Sequence, residues 1–107
     1  MNRQPDMRQI MAQAQKMQEQ LAAAQKELAG RTFEGSAGGG MVVATVTGAQ
    51  ELVDITISSE VVDPDDVEML QDLVLAAVHQ AFEAASNAAS EELGGLTGGL
   101  GLGGLLG

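Results

Sequence analysis

The sequence predicts an α+β fold, with a long N-terminal helix, a three-stranded antiparallel sheet and a long C-terminal helix, paired into a homodimer with projecting helical arms. Three observations carry this. Apolar residues recur at heptad spacing near the start of the chain. Two short strand-like runs, the second of alternating polarity, are joined by a short link in the middle, and both helices read as longer than the strands they must cover.

The first helix is expected over residues 5–29. Pro5 suits the first helical position, where its missing N–H costs nothing, Asp6 suits the positive end of the dipole, and Gly30 supplies a stop. Between them Met7, Ile10, Ala14, Met17, Leu21, Ala24 and Leu28 alternate spacings of three and four, a narrow coiled-coil-like seam. On a helical wheel of about 100° per residue Arg8 and Lys26 share one azimuth, with Lys16 about 80° away, all on the side opposite the seam.

A first strand is expected at 31–36 with Phe33 directed to the core, followed by the flexible run Ala37, Gly38, Gly39 and Gly40. Strands at 41–47 and 52–58 follow; in the latter Val53, Ile55 and Ile57 alternate with Asp54, Thr56 and Ser58. Gly48, Ala49 and Gln50 form a link short enough for a hairpin. An extra turn is expected at 60–62.

For the second helix Asp63 supplies an N-cap, Pro64 the first position, and Asp65 and Asp66 the first turn. It runs to about Glu92. Its buried stripe reads Val67, Leu70, Val74, Ala77, Ala81, Ala85 and Ala88, widened by Leu73, Val78 and Phe82. At about 1.5 Å per residue the helices measure about 37 and 43 Å, against about 25 Å for the strands at about 3.3 Å per residue. The overhanging apolar stripes must pack on each other or on a second subunit. Residues 1–93 thus read as one domain, and 94–107, with eight Gly, five Leu and one Thr, as a flexible tail.

Charge divides the chain. There are 5 Lys+Arg against 15 Asp+Glu, a formal net charge of -10. All the basic residues (Arg3, Arg8, Lys16, Lys26, Arg31) stand in the first 31 positions beside Asp6, Glu19 and Glu27, a local sum of 5 − 3 = +2. Everything after Arg31 holds the other 12 acids and no Lys or Arg. So negative a total argues against strong nucleic-acid binding, while the asymmetry marks the first helix as the part able to meet a polyanion.

Composition excludes several chemistries. With no Cys there are no disulfides, thiolate metal sites or cysteine nucleophiles, and a lone His79 leaves no paired-His metal motif. Phe33 and Phe82 are too few to stack successive bases. No stretch of about 18 apolar residues spans a membrane. His79 with Glu83, and the cluster Asp63, Asp65, Asp66 and Glu68, read as solvated surface and helix capping, so no metal is expected. The Gly38–Gly40 run precedes a strand and lacks a following Gly-Lys-Ser/Thr, so no nucleotide cofactor is expected. No carboxylate pair stands out as an acid and base, and the chain does not read as an enzyme. From physics alone the outward face of the first helix reads as mixed and solvated rather than phosphate-binding, because Glu19 and Glu27 lie in the same arc.

The runs MAQAQKMQEQL (11–21), GMVVATVTGA (40–49) and above all DPDDVEMLQDLVLAA (63–77) resemble, in order and spacing, the YbaB/EbfC family of bacterial nucleoid-associated proteins. That resemblance implies a tweezers-shaped homodimer, double-stranded DNA as a partner bound with little sequence preference, and a place in the cytoplasm and nucleoid. Replication or recombination proteins are implied as further partners. Relatives carry Lys or Arg in the strands and second helix where this chain has none. Arg8, Lys16 and Lys26 are therefore the DNA-binding residues expected, assisted by Arg3 and Arg31, with Gln side chains of the first helix positioning the backbone. With about four phosphates neutralised, log K falls with log salt at a slope of about −3.6, giving weak, salt-sensitive binding. The competing reading is an acidic dimeric scaffold that binds a replication or repair protein and no DNA.

Overall fold

The computed structural model describes residues 6–99, with side chains through residue 95. The order is α1 (Met7–Gly30), β1 (Thr32–Ala37), β2 (Val42–Thr47), β3 (Leu52–Ile57), a 3-10 turn (Ser59–Val61) and α2 (Val67–Gly99). This is the expected α+β sequence of elements.

Asp6 is the N-cap of α1 rather than part of its first turn. Its backbone is extended and its carboxylate accepts the Arg8 N–H at 3.0 Å, satisfying one of the otherwise unpaired amides of the first turn. Pro5 lies outside the described residues. At the other end Gly30 is the last helical residue and Arg31 turns the chain out, its N–H donating to the Leu28 carbonyl at 3.0 Å.

The sheet is antiparallel in the order β1-β2-β3. Thr32 pairs with Thr47 through to Ala37 with Val42, so Phe33, Gly35 and Ala37 face the same side as Val46, Ala44 and Val42. The glycine run is an ordered turn between β1 and β2, with Gly38, Gly39 and Gly40 at φ of 63, 68 and 91, a conformation that costs a Cβ-bearing residue heavily. The β2–β3 link is a tight turn in which Gln50 N–H donates to Thr47 O at 3.0 Å and Thr47 Oγ1 accepts from both Ala49 and Glu51. Gln50 itself sits at φ 68, the left-handed slot that hairpins of this kind usually give to Gly. Val46 pairs with Leu52 and Thr45 with Asp54, so Val53 bulges out of the ladder.

One face of the sheet is covered by α2, which lies across β1 and β2. The core is Val42, Ala44 and Val46 against Ala77, Ala81 and Ala85, all fully buried, with Phe33, Leu70, Leu73, Val74, Val78 and Phe82 packed around them. The alanines let the backbones close up: a Cβ on Gly35 would overlap the Ala77 carbonyl and the Ala81 amide. The Gln80 side chain crosses the same seam and accepts the Ser36 N–H at 2.6 Å. The expected stripe on α2 holds from Leu70 to Ala88, whereas Val67 is exposed.

The start of α2 lies further along than expected. Asp63 caps a turn rather than the helix, taking the Asp65 N–H on Oδ1 at 2.9 Å and the Asp66 N–H on its carbonyl. Asp66 Oδ1 accepts from Met69 N at 3.2 Å, the reach from an N-cap to its third helical residue, so Pro64 belongs to the turn. Nor does the helix end at Glu92: it continues to Gly99, into the Gly- and Leu-rich segment whose remainder lies outside the described residues.

The molecule measures 82 × 28 × 16 Å with a radius of gyration of 21.1 Å, against about 13 Å for a compact chain of this size. The overhang expected from helix length is present in the single chain. The seam of α1 is core only at its root: Leu28 is buried, Met17, Leu21 and Ala24 are half-buried, and Met7, Ile10 and Ala14 face solvent.

Candidate nucleic-acid interface

Arg8, Lys16 and Lys26 all lie on α1 and all are exposed. Their positions place Arg8 about 12 Å from Lys16 and Lys16 about 15 Å from Lys26 along the axis, at about 1.5 Å rise per residue. Among the described residues no ion pair involves any of the three, so their charge is free to meet an external anion. Lys16 also flanks a shallow groove lined by Ile10, Gln13, Ala14, Met17 and Gln20. Gln9, Gln13, Gln15, Gln18 and Gln20 are exposed along the same helix and can donate to phosphate oxygens.

The positive surface is narrow. Within α1, three basic residues against Glu19 and Glu27 leave 3 − 2 = +1, while the sheet and α2 carry only acids. A phosphate approaching the arm is attracted along one helix and repelled by the body behind it.

Arg31 stands apart from the other three. It is the C-cap of α1, its guanidinium reaches Glu92 Oε1 of α2 at 3.4 Å, and it lies over the Phe33 ring at 5.1 Å from the centroid. Its position ties the base of the arm to the body. Arg3 lies outside the described residues.

Two features near the arm are not visible in the residue pattern. One is the root of α1, where the Gly48 N–H donates to the Arg31 carbonyl at 3.0 Å and Gly48 has no room for a side chain against the Leu28 carbonyl. The other is an uncovered apolar strip. Leu52, Ile55 and Ile57 pair with Val46, Ala44 and Val42 and so share the helix-side face, yet all of β3 is exposed. Ile57 borders a groove with Leu70, Val74 and Leu75 of α2, and Leu75 is 68% exposed. Alternation along β3 pointed to Val53, Ile55 and Ile57 as its apolar face; the bulge at Val53 puts Leu52 there in its place, and alternation did not show that α2 would leave the face bare.

Among the described residues no group of three or more His, Cys, Asp or Glu could hold a metal ion, and no helix is long and apolar enough to cross a membrane. The described residues thus present a helical arm that carries exposed Arg8, Lys16 and Lys26 and projects from an acidic α+β body. The model of the YbaB/EbfC DNA-binding family matches residues 2–100, and the chain belongs to that family, which is a DNA-binding family and not an enzyme family. It is 56% identical to a nucleoid-associated protein of Rhodococcus opacus over 104 residues, covering 97% of this chain and 92% of the relative. A nucleoid-associated protein of Clostridium perfringens is 56% identical over 100 residues, with 94% and 89% covered. Among solved structures, an uncharacterised Helicobacter pylori protein shares the fold, with a TM-score of 0.75 at 20% identity over 88% of this chain and 99% of that one. The DNA-free scaffold reading finds no support in these relatives.

Proposed function

We propose that the protein is a nucleoid protein of the cytoplasm that binds duplex DNA weakly, with little sequence preference and as a homodimer, and so influences nucleoid organisation and gene expression. The observation that carries this reading is the confinement of Arg8, Lys16 and Lys26, which form no ion pair among the described residues, to one exposed helix that projects from an acidic body. Arg3 and Arg31 assist from the two ends. A row of side chains on a straight helix suits backbone phosphates, and it offers none of the convergent donors that read base edges.

The dimer is supported by the bare strip of Leu52, Ile55 and Ile57 on the core side of the sheet, bordered by exposed Leu75 of α2. A second copy of the same strip is self-complementary about a twofold axis. Leu75→Asp is expected to yield a monomer by light scattering and to weaken duplex binding, since each monomer then offers only one arm. A variant that stays dimeric would move the interface elsewhere.

The DNA reading is tested by gel shift across salt concentration. With about four phosphates neutralised, the slope of log K against log salt is expected near −3.6, and binding should be clearest at about 50 mM salt. Replacing Arg8, Lys16 and Lys26 together by Ala should abolish retention while leaving the dimer intact. Retention unchanged in the triple variant would remove these side chains from the interface.

A further inference from the structure

We propose that the β2–β3 turn is a clamp that sets the direction of the α1 arm, with Gly48 as its positioning residue and Arg31 as its brace. The proposal rests on α1 being the DNA-binding surface, and it adds what aims that surface. Three interactions converge where α1 leaves the body. The Arg31 N–H closes on the Leu28 carbonyl at 3.0 Å, the Gly48 N–H donates to the Arg31 carbonyl at 3.0 Å, and the Gly48 Cα lies so close to Leu28 that an added Cβ would overlap the Leu28 carbonyl. All three are between backbone groups, so no rotamer change can relieve them. Around them the Leu28 side chain is buried, and the Arg31 guanidinium reaches Glu92 while lying over Phe33.

The turn is stiff in its own right. Thr47 Oγ1 accepts two of its amides, Gln50 is held at φ 68, and the Thr47 N–H donates to the Glu51 carbonyl at 2.8 Å. Past the half-buried seam positions the arm runs exposed, so the root has long leverage. Leu28 and Arg8 are about 30 Å apart along the helix, and a tilt of about 20° at the root would carry Arg8 through about 10 Å. That exceeds the spacing between neighbouring phosphates along a strand, so a misaimed arm misses phosphates even though every basic side chain is still present.

Gly30 provides an internal control. It belongs to the same root, but a Cβ there would meet nothing within 4 Å. Gly48→Ala should therefore swing the arm, whereas Gly30→Ala should leave it in place. The chain has no Cys, so nitroxide labels at Gln15→Cys on the arm and His79→Cys on α2 can report the intrachain distance by pulsed EPR, with labelled chains diluted in unlabelled protein. The expected result for Gly48→Ala is a shift of about 5 Å or more in that distance, duplex affinity reduced at least threefold, and a salt slope shallower by about 0.9 for each phosphate that the arm no longer reaches. No change in distance would overturn the clamp. A changed distance with unchanged affinity and slope would overturn its role in binding. If Gly48→Ala fails to fold, hydrogen exchange on the unaltered protein decides: Gly48 and Arg31 amides protected like the β2 amides support the clamp, and exchange as fast as the arm amides overturns it. Absence of duplex binding by the unaltered protein would sink the DNA reading, while the distance and exchange results would still judge the clamp on their own terms.

Discussion

Where α2 crosses β1, backbone lies against backbone; along the outer half of α1, side chains lie against solvent. At the crossing Gly35 meets the peptide units of Ala77 and Ala81 with no side chain between them, and Ala77, Ala81 and Ala85 are fully buried. On the arm Met7 and Met11 remain 69% and 66% exposed. The first region cannot change by one methyl group without moving an element, whereas the second can exchange side chains with little effect on the fold. Charge follows the same division in its balance, with only acids on the packed sheet and α2 and a small positive excess on the open arm. If α1 is the DNA-binding surface as proposed, stability and binding belong to separate parts of the chain, and substitutions should separate them.

The largest effect is expected at the crossing. Gly35→Ala would drive its Cβ into the Ala77 carbonyl and the Ala81 amide, neither of which can rotate away, so α2 must lift from the sheet. A loss of about 3 kcal/mol or more in urea unfolding is expected, with duplex binding falling only in proportion to the unfolded fraction. Full stability in this variant would break the contrast, because it would mean that the crossing yields as easily as the arm.

The converse applies to the arm. The combined Ala replacement of Arg8, Lys16 and Lys26 should cost at least about tenfold in duplex affinity at about 50 mM salt and flatten the salt slope. Its unfolding midpoint should stay close to that of the parent, since all three side chains are exposed and form no ion pair among the described residues, and Ala is the better helix former. A large fall in stability would show that the arm is packed in solution.

These two regions were not equally legible in the sequence. The seam of α1 and the strand-like runs of β2 and β3 are local signals that located these elements, although the seam is buried only at its root and the bulge at Val53 breaks the alternation of β3, and the charge asymmetry set α1 apart. The crossing was only half visible. The change from bulky residues to Ala along α2 implied close approach, but its partner is Gly35, more than 40 residues earlier in the chain, and nothing around Gly35 announces it. Gly48 was hidden likewise, reading as an ordinary hairpin glycine when its constraint comes from Leu28 across the root. The start of α2 misled for another reason. In the run Asp63-Pro64-Asp65-Asp66 both Asp63 and Asp66 can cap, and the choice between them depends on how the preceding turn docks, with Asp63 used for the turn and Asp66 for the helix.

The smallest effect lies between the two regions, in the turn that joins the packed sheet to the arm. Gln50 holds φ 68 without the freedom of glycine, a conformation that costs a residue with a Cβ about 1 kcal/mol or more. Gln50→Gly would remove that cost and forfeit part of the gain to the greater entropy of the unfolded chain, for a net stabilisation of about 0.5 kcal/mol. Its exposed side chain makes none of the hydrogen bonds that define the turn, which the Ala49, Gln50 and Glu51 amides donate to Thr47 oxygens, so glycine should preserve them. Thermal unfolding should therefore rise slightly while the arm stays aimed and duplex affinity stays within twofold. Should Gln50→Gly instead lower affinity without lowering stability, the strain at Gln50 would belong to the aiming of the arm, and the turn would have to be counted with the binding region rather than with the body.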